Sequence, residues 1–359
     1  MSKAQSSTSQ RTPQVARITV GLVLLTVGLS GSAFGATFPE LYSIIVPREA
    51  TGIAQSRPRT QDETIRLAMG QLLTRVTGRR DARFEPQLNE MLRLAGDFVE
   101  QIGQLDRDNL IVRFNASNVE SALVRLEQPV WGSERPLTML WVAVDAGLGQ
   151  RELLAAEPLT AAPQSELETM LANFRADLVE VADERGLLLT LPLVDIEDMT
   201  ALSFADVWGG FSDRVVRASE RYGTDDILIA QVRLTDFGAV TRWTLLRGGR
   251  ELRLPGQAFR DGLDALADVY AAEFSTLGSA SSTAVTIVGV ETLDDYGRVM
   301  QYLESLSVLE NVEPEELVAG SLRVRVAARG GEFALRRVLE LGELLQPAAG
   351  DELTYSLAP

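Results

Sequence analysis

Three apolar runs, Leu137–Val144, Leu187–Leu193 and Ile227–Val232, are separated by two stretches of helical periodicity, and no other feature of the chain constrains its fold as much. Short apolar runs bounded by polar turns suit strands buried on both faces. Between the first two, Leu167, Met170, Leu171, Phe174, Leu178 and Val181 recur at helical spacing and are closed by Arg185-Gly186. Between the second and third, Asp213–Tyr222 reads as another helix. This strand–helix–strand–helix–strand order predicts a mostly parallel α/β sheet domain with helices packed on it, over residues 137–276. Val240–Leu246 alternates like an antiparallel strand, and a last helix carries Leu263, Leu266, Ala267, Tyr270 and Phe274.

The flanking stretches read differently. Residues 37–136 predict a small α+β domain. A strand at Leu41–Val46 is followed by an exposed loop from Pro47 to Gln61, then by a helix carrying Ile65, Ala68, Met69, Leu72, Leu73 and Val76 and ending at Gly78. A second helix is expected over Leu88, Met91, Leu92, Ala95, Val99 and Ile102, then a strand at Leu110–Phe114. Ser117-x-x-Glu120 reads as a capping box opening a helix through Leu126. After a Gly/Ser/Ala linker at Leu277–Thr283, residues 283–359 give strand Ala284–Val290, helix Asp294–Leu303, strands Val308–Val312 and Leu322–Ala327, helix Glu332–Leu341 and strand Leu353–Leu357. That β-α-β-β-α-β series is the split pattern of a ferredoxin-like unit.

Residues 1–36 read as a signal peptide. The polar start carries Lys3, Arg11 and Arg17 and no acid, Ile18–Leu29 is an uncharged apolar run, and Ala33-Phe34-Gly35 offers the small-x-small pattern of a peptidase site. The run falls short of the roughly 20 residues that cross a bilayer. The small residues behind it leave an uncleaved inner-membrane anchor over 18–36 as the alternative. Without cysteine there is neither a lipid-modified amino terminus nor a disulfide, so the domains must stand on hydrophobic burial. The formal charge of −16 repels nucleic-acid phosphates and anionic lipid surfaces alike. Nucleic acid is therefore not an expected partner, and the membrane is one only through the N-terminal segment.

Several phrases carry a family likeness: VTGRRDA (Val76–Ala82), PVWG followed by Arg135-Pro136, LPLVDIED (Leu191–Asp198), DVWGGF (Asp206–Phe211) and RYGTDDILIAQV (Arg221–Val232). Together they resemble the bacterial domain of unknown function 2066, from about Leu41 to Ala272. The resemblance implies an exported protein of Gram-negative bacteria, hence a periplasmic location, and brings no catalytic residues. The RYGTDDILIAQV step is also loosely similar to a helix–strand passage in α/β domains of periplasmic and outer-membrane assembly proteins.

Three constellations are candidate binding sites. Asp195, Glu197 and Asp198 follow an expected buried strand, where ligands gather in open α/β sheets. Three carboxylates in four residues suit a cation or an acid/base pair, or else an N-cap and two solvated charges. Trp208 and Phe211 flank Gly209-Gly210 on an expected loop at the same sheet end, and suit either a partner contact or packing onto the sheet. Arg79 and Arg80 stand just past Gly78, where they complement a helix dipole, with Asp81 pairing one of them, or recognise a carboxylate or phosphate. Trp141 and Trp243, on apolar strands, are expected in the core.

Missing residue types narrow the chemistry. With no histidine or cysteine there is no Ser-His-Asp triad and no Cys-His pair, and zinc catalysis loses its usual ligands. No phosphate-binding GxxxxGK[ST] or strand-borne GxGxxG occurs. Lysine is almost absent, which closes a Ser-Lys pair, so carboxylate-only chemistry such as glycoside cleavage is what survives. No cofactor, metal ligand set or catalytic residue is assigned. The expectation is a non-catalytic binding or scaffold protein with an envelope protein partner; the alternative is a carboxylate-dependent enzyme or a protein binding a small, sugar-like ligand.

Overall fold

The computed structural model describes residues 37–50, 57–158, 163–342, 344–348 and 353–358. The signal expected at 1–36 lies outside the described residues. Three sheets of three or more strands occupy successive stretches of the chain; one is antiparallel, two are mixed and none is closed.

The first stretch contains β1 (Ser43–Pro47), a two-residue ribbon of β2 (Glu49–Ala50) and β3 (Arg57–Pro58), α1 (Gln61–Thr77), α2 (Asn89–Arg93), β4 (Val99–Gln104), β5 (Asn109–Phe114) and α3 (Ala116–Arg125). Its antiparallel sheet runs β1-β5-β4. The α1 helix opens on a Thr60–Glu63 capping box and ends at Gly78, whose φ of 68° is the left-handed geometry glycine adopts without strain. It buries Met69, Leu72, Leu73 and Val76 against Ile44, Val46, Val112 and Phe114. Each such side chain contributes about 1.5–3 kcal/mol of burial. The long second helix expected over Leu88–Ile102 is not formed. It stops at Arg93, Ala95-Gly96-Asp97 turns the chain, and Val99–Gln104 pairs with β5 instead. The N-cap of α3 is Asn115 rather than Ser117; its side chain accepts from Asn118 N at 3.0 Å.

The central stretch holds β6 (Leu137–Gly147), β7 (Gln150–Leu153), α4 (Glu166–Arg185), β8 (Leu188–Thr190), α5 (Ile196–Ala201), α6 (Phe204–Gly209), α7 (Ser212–Ser219), β9 (Asp226–Thr235), β10 (Gly238–Arg247), β11 (Arg250–Leu254) and α8 (Phe259–Phe274). The order is β11-β10-β9-β6-β7, with β8 also on β6. The sheet is mixed, not mostly parallel. β6 pairs parallel with β8 and β9, but the chain turns straight back after β6 and β9, and again after β10, adding β7, β10 and β11 antiparallel. Alternate residues face opposite layers. Leu140, Val142, Leu228 and Trp243 pack under α4 and α8, while Met139, Trp141, Ile227 and Ile229 pack under α5–α7. Trp141 and Trp243 are core, as expected; Trp141 donates to Ser219 Oγ at 2.9 Å.

In the third stretch β12 (Ala280–Val288), α9 (Leu293–Ser305), β13 (Leu309–Val318), β14 (Ser321–Arg329), α10 (Gly331–Leu341), β15 (Leu345–Pro347) and β16 (Thr354–Leu357) give the order β13-β14-β12-β16-β15. The expected linker is shorter than predicted, because Ala280–Thr283 already pair with β14. The split pattern holds through α10 and then departs from expectation. A crossover from β14 through α10 should set its next strand antiparallel to β12; β15 has that direction, but it sits outermost. The return strand β16 enters between them, parallel to β12.

The three stretches meet on one short segment. Val130 bridges Thr276, Trp131 N donates to Val76 O, Phe38 N donates to Ser133 O, and the buried Glu134 carboxylate accepts from Ser307 N at 2.8 Å and from the Ser307 hydroxyl. Gly132 has no side chain where the Ser307 hydroxyl stands. Residues 130–135 thus lie on the path between the first two regions, and the same segment anchors the third.

Candidate binding site

Asp195, Glu197 and Asp198 converge on a guanidinium rather than on an open position. Asp195 is the N-cap of α5, accepting from Asp198 N at 2.9 Å. Arg221 Nη1 and Nη2 donate to its two oxygens at 2.9 and 3.1 Å; Arg221 also reaches Asp198 at 3.1 Å and Glu197 at 3.5 Å. Asp198, only 2% exposed, takes Val194 N at 2.8 Å and the Tyr222 hydroxyl at 2.6 Å on its other oxygen. The hydrogen bonds from Arg221, then that from Asp198 N, hold the Asp195 carboxyl down at about 2. Burial, then the bond to Asp198, pushes the Tyr222 hydroxyl well above its usual range. A carboxyl held this low stays ionised and is no general acid. Among the described residues, no group of three acidic side chains is arranged to hold a metal ion.

Trp208 sits on α6, not on a loop. Ser203 caps that helix with Asp206 in a capping box, and Gly210 ends it at φ 70°. The ring stacks on Phe204 at 5.5 Å, Arg233 lies over Trp208 at 5.4 Å and Arg151 over Phe204 at 5.8 Å, giving an Arg–Phe–Trp–Arg stack. Gln231 Nε2 donates to Trp208 O at 2.8 Å, closing the end of α6, and Arg242 Nη1 donates to Gln231 Oε1 at 3.3 Å. Phe211 is 57% exposed, with Arg214 at 5.9 Å above its ring and Arg214 paired to Asp206 at 2.6 Å. Gly209 makes room for this ring, since a Cβ there would come within 2.7 Å of it.

The two sequence-predicted groups are not one site. Asp195–Asp198 are tied to Arg221 and Tyr222, which precede β9, whereas Trp208 lies against Gln231 and Arg233, in the second half of β9. Seven residues of strand separate Asp226 from Arg233, about 23 Å at strand rise. Beyond α6 the same sheet face carries Arg233 and Arg242 on neighbouring strands, offset by two residues, because Val240 pairs with Arg233 and Arg242 with Gln231. Among the described residues neither guanidinium meets a carboxylate. Sequence reading missed both, although the alternation Ile229, Gln231, Arg233 already puts Arg233 on the Trp208 face.

Arg79 and Arg80 are committed internally. Arg79 bonds Gln128 Oε1 at 3.2 Å and pairs with Glu85; Arg80 pairs with Asp268 of α8 at 2.5 Å, and Asp81 pairs with neither. The helix ends there are met instead by three buried arginines. Arg135 donates to the carbonyls of Gly132, Trp131, Arg75 and Gly186 at 2.6–3.1 Å, with Trp131 3.5 Å from its guanidinium. Arg75 holds Asp183 through its carbonyl and its carboxylate, each at 2.8 Å, and Arg185 holds Gly78 O at 2.9 Å and Asp264 at 2.5 Å. Burial, then the Arg75 charge, presses the Arg135 guanidinium well below its usual value. The carbonyl ends of α1 and α4 supply the negative potential that offsets this.

Comparison with known proteins reaches only part of the chain. Residues 39–132 match a family described as Domain of unknown function (DUF8605), which covers the first region and ends before the Trp208 face. Neither the curated proteins nor the solved structures give a match. The likeness to family 2066 therefore rests on its phrases alone, and residues 39–132 of this chain carry a domain of unknown function.

Proposed function

We propose that this chain is a non-catalytic binding protein of the bacterial envelope that engages its partner through Trp208, Phe211, Arg233 and Arg242. One observation carries the reading. On a chain with a net charge of −16, two guanidiniums on neighbouring strands that meet no carboxylate among the described residues share a sheet face with a stacked tryptophan, and an exposed phenylalanine stands three residues after that tryptophan. Arginine forks take carboxylate or phosphate groups in two-point contacts, and exposed aromatic rings favour interface centres. In this reading residues 1–36 deliver the chain to the periplasm, in keeping with the family-2066 phrases, and 37–136, 137–276 and 283–359 serve as its three domains. The carboxylate-enzyme alternative is disfavoured because the Asp195 and Asp198 oxygens are already taken by Arg221, Val194 N and Tyr222.

The test is purification of the tagged full chain from gently solubilised envelopes of its own host, followed by mass spectrometry. A stoichiometric protein partner that is lost with Trp208→Ala and with Arg233→Ala/Arg242→Ala is expected. A partner retained by all these variants, or a solitary protein, overturns the reading.

A further inference from the structure

Among the described residues, the outer edge of β11 is unlike the other edges of the three larger sheets. β1 ends in Pro47, β4 and β7 pair through register breaks, β13 contains Pro314 and two such breaks, β8 and β15 are three residues long, and β15 ends in Pro347. Prolines, breaks and brevity are the means by which sheets keep edges from joining other chains. Within Arg250–Leu254 β11 has none of the three, its nearest proline being Pro255, just past the strand. Its five residues form an unbroken ladder with β10, and among the described residues its backbone bonds to nothing else.

The hairpin fixes which groups face outward. Gly248 and Gly249, at φ 53° and 69°, form the two-residue type I′ turn, so the flanking Arg247 and Arg250 are a hydrogen-bonded pair and the pairs alternate from there. Leu252 thus bonds inward to Leu245, while Glu251 and Arg253 direct their N–H and C=O groups to the open side. Glu251 and Arg253 project from one sheet face, and Leu252, 47% exposed, from the other. Glu251 takes the Ser212 hydroxyl on Oε2 at 3.1 Å, leaving Oε1, and Arg253 meets no carboxylate among the described residues.

Read in the opposite direction, Glu251-Leu252-Arg253 is its own complement. We infer that β11 is the docking edge for a second copy of this chain, the two strands pairing antiparallel about a two-fold axis at Leu252 so that the two sheets become one. In that register Glu251 of each copy faces Arg253 of the other, adding an ion pair to two backbone hydrogen bonds at each end, and Leu252 faces Leu252 in the close, non-hydrogen-bonded position. Centring the axis on Glu251 or on Arg253 sets like charges directly opposite each other. The charges on this edge therefore admit one register and reject its neighbours.

The chain has no cysteine, so Leu252→Cys introduces a single thiol. The non-hydrogen-bonded pair places the two Cα atoms about 4.5 Å apart, within the span of a disulfide. Mild oxidation of the purified full-length variant is expected to give a covalent dimer. The yield should fall by about tenfold or more when Glu251→Arg is added, and return when Arg253→Glu is added as well, since the complement is then restored with its sign reversed. Val318→Cys, at a 57% exposed position of β13, measures random collision. Circular dichroism of each variant verifies the fold. A Leu252→Cys chain that stays monomeric, that links no better than Val318→Cys, or that links equally well with Glu251→Arg overturns the inference.

Discussion

Two sets of arginines in this molecule do opposite things with the same guanidinium. Arg75, Arg135 and Arg185 are almost fully buried where the first two regions meet, and apart from the Arg185 Nε they donate to main-chain carbonyls, several at helix ends, and to Asp183, Asp264 and Asp268. Arg233 and Arg242 are exposed, one over a tryptophan ring and the other holding Gln231. Fixed carbonyl dipoles replace water around the first set, so its cations weld the fold. Water still surrounds the second set, so its cations remain available to a partner.

The sharpest way to break this contrast is Arg135→Ala. It strips the donor from four buried carbonyls at once, and we expect a loss of about 3–5 kcal/mol in denaturant unfolding. Gly186→Ala should cost about 1–3 kcal/mol by the same measurement, because the residue holds φ 67° and a Cβ would lie 2.7 Å from Arg135 Nη1.

The Arg221 cluster tests an intermediate, partly exposed case. The folded value of Asp195, about 2, lies below the ~3.9 of an unpaired aspartate. Its pairing therefore stabilises fully above about pH 4 and fades as the pH falls toward 2. Thermal melts across that window should show a component that Arg221→Ala lacks. The smallest effect on folding is expected from Arg233→Ala and Arg242→Ala, within about 0.5 kcal/mol. A larger loss in either would mean that the exposed set also welds the fold, and the comparison would fail.

What sequence made legible was local. The cap at Gly78 and the stop at Arg185-Gly186 needed only spacing and a glycine, and both helices end there. The strands β6 and β9 announced themselves as apolar runs. What was missed depends on partners far along the chain. Val99–Gln104 has helical apolar spacing but is claimed by β5, and β16 slips beside β12 only because β15 turns back on it. At the site, Trp208 and Phe211 were found by residue type alone. Arg233 and Arg242 became part of it only once β10 had set the offset between them, a register no local pattern encodes. Asp195 and Asp198 looked like an open acidic group because Arg221, more than twenty positions on, is distant in sequence.

The matched stretch ends at residue 132, one step after Trp131. Here the ring of Trp131 lies under Arg135, and the end of α1 gives its carbonyls to Arg135 and Arg185, which stand outside the matched stretch. In this chain the matched stretch is therefore closed by residues that lie beyond it. Without Arg135 and Arg185 the carbonyls of Arg75 and Gly78 and the face of the Trp131 indole would fall to water or to other groups.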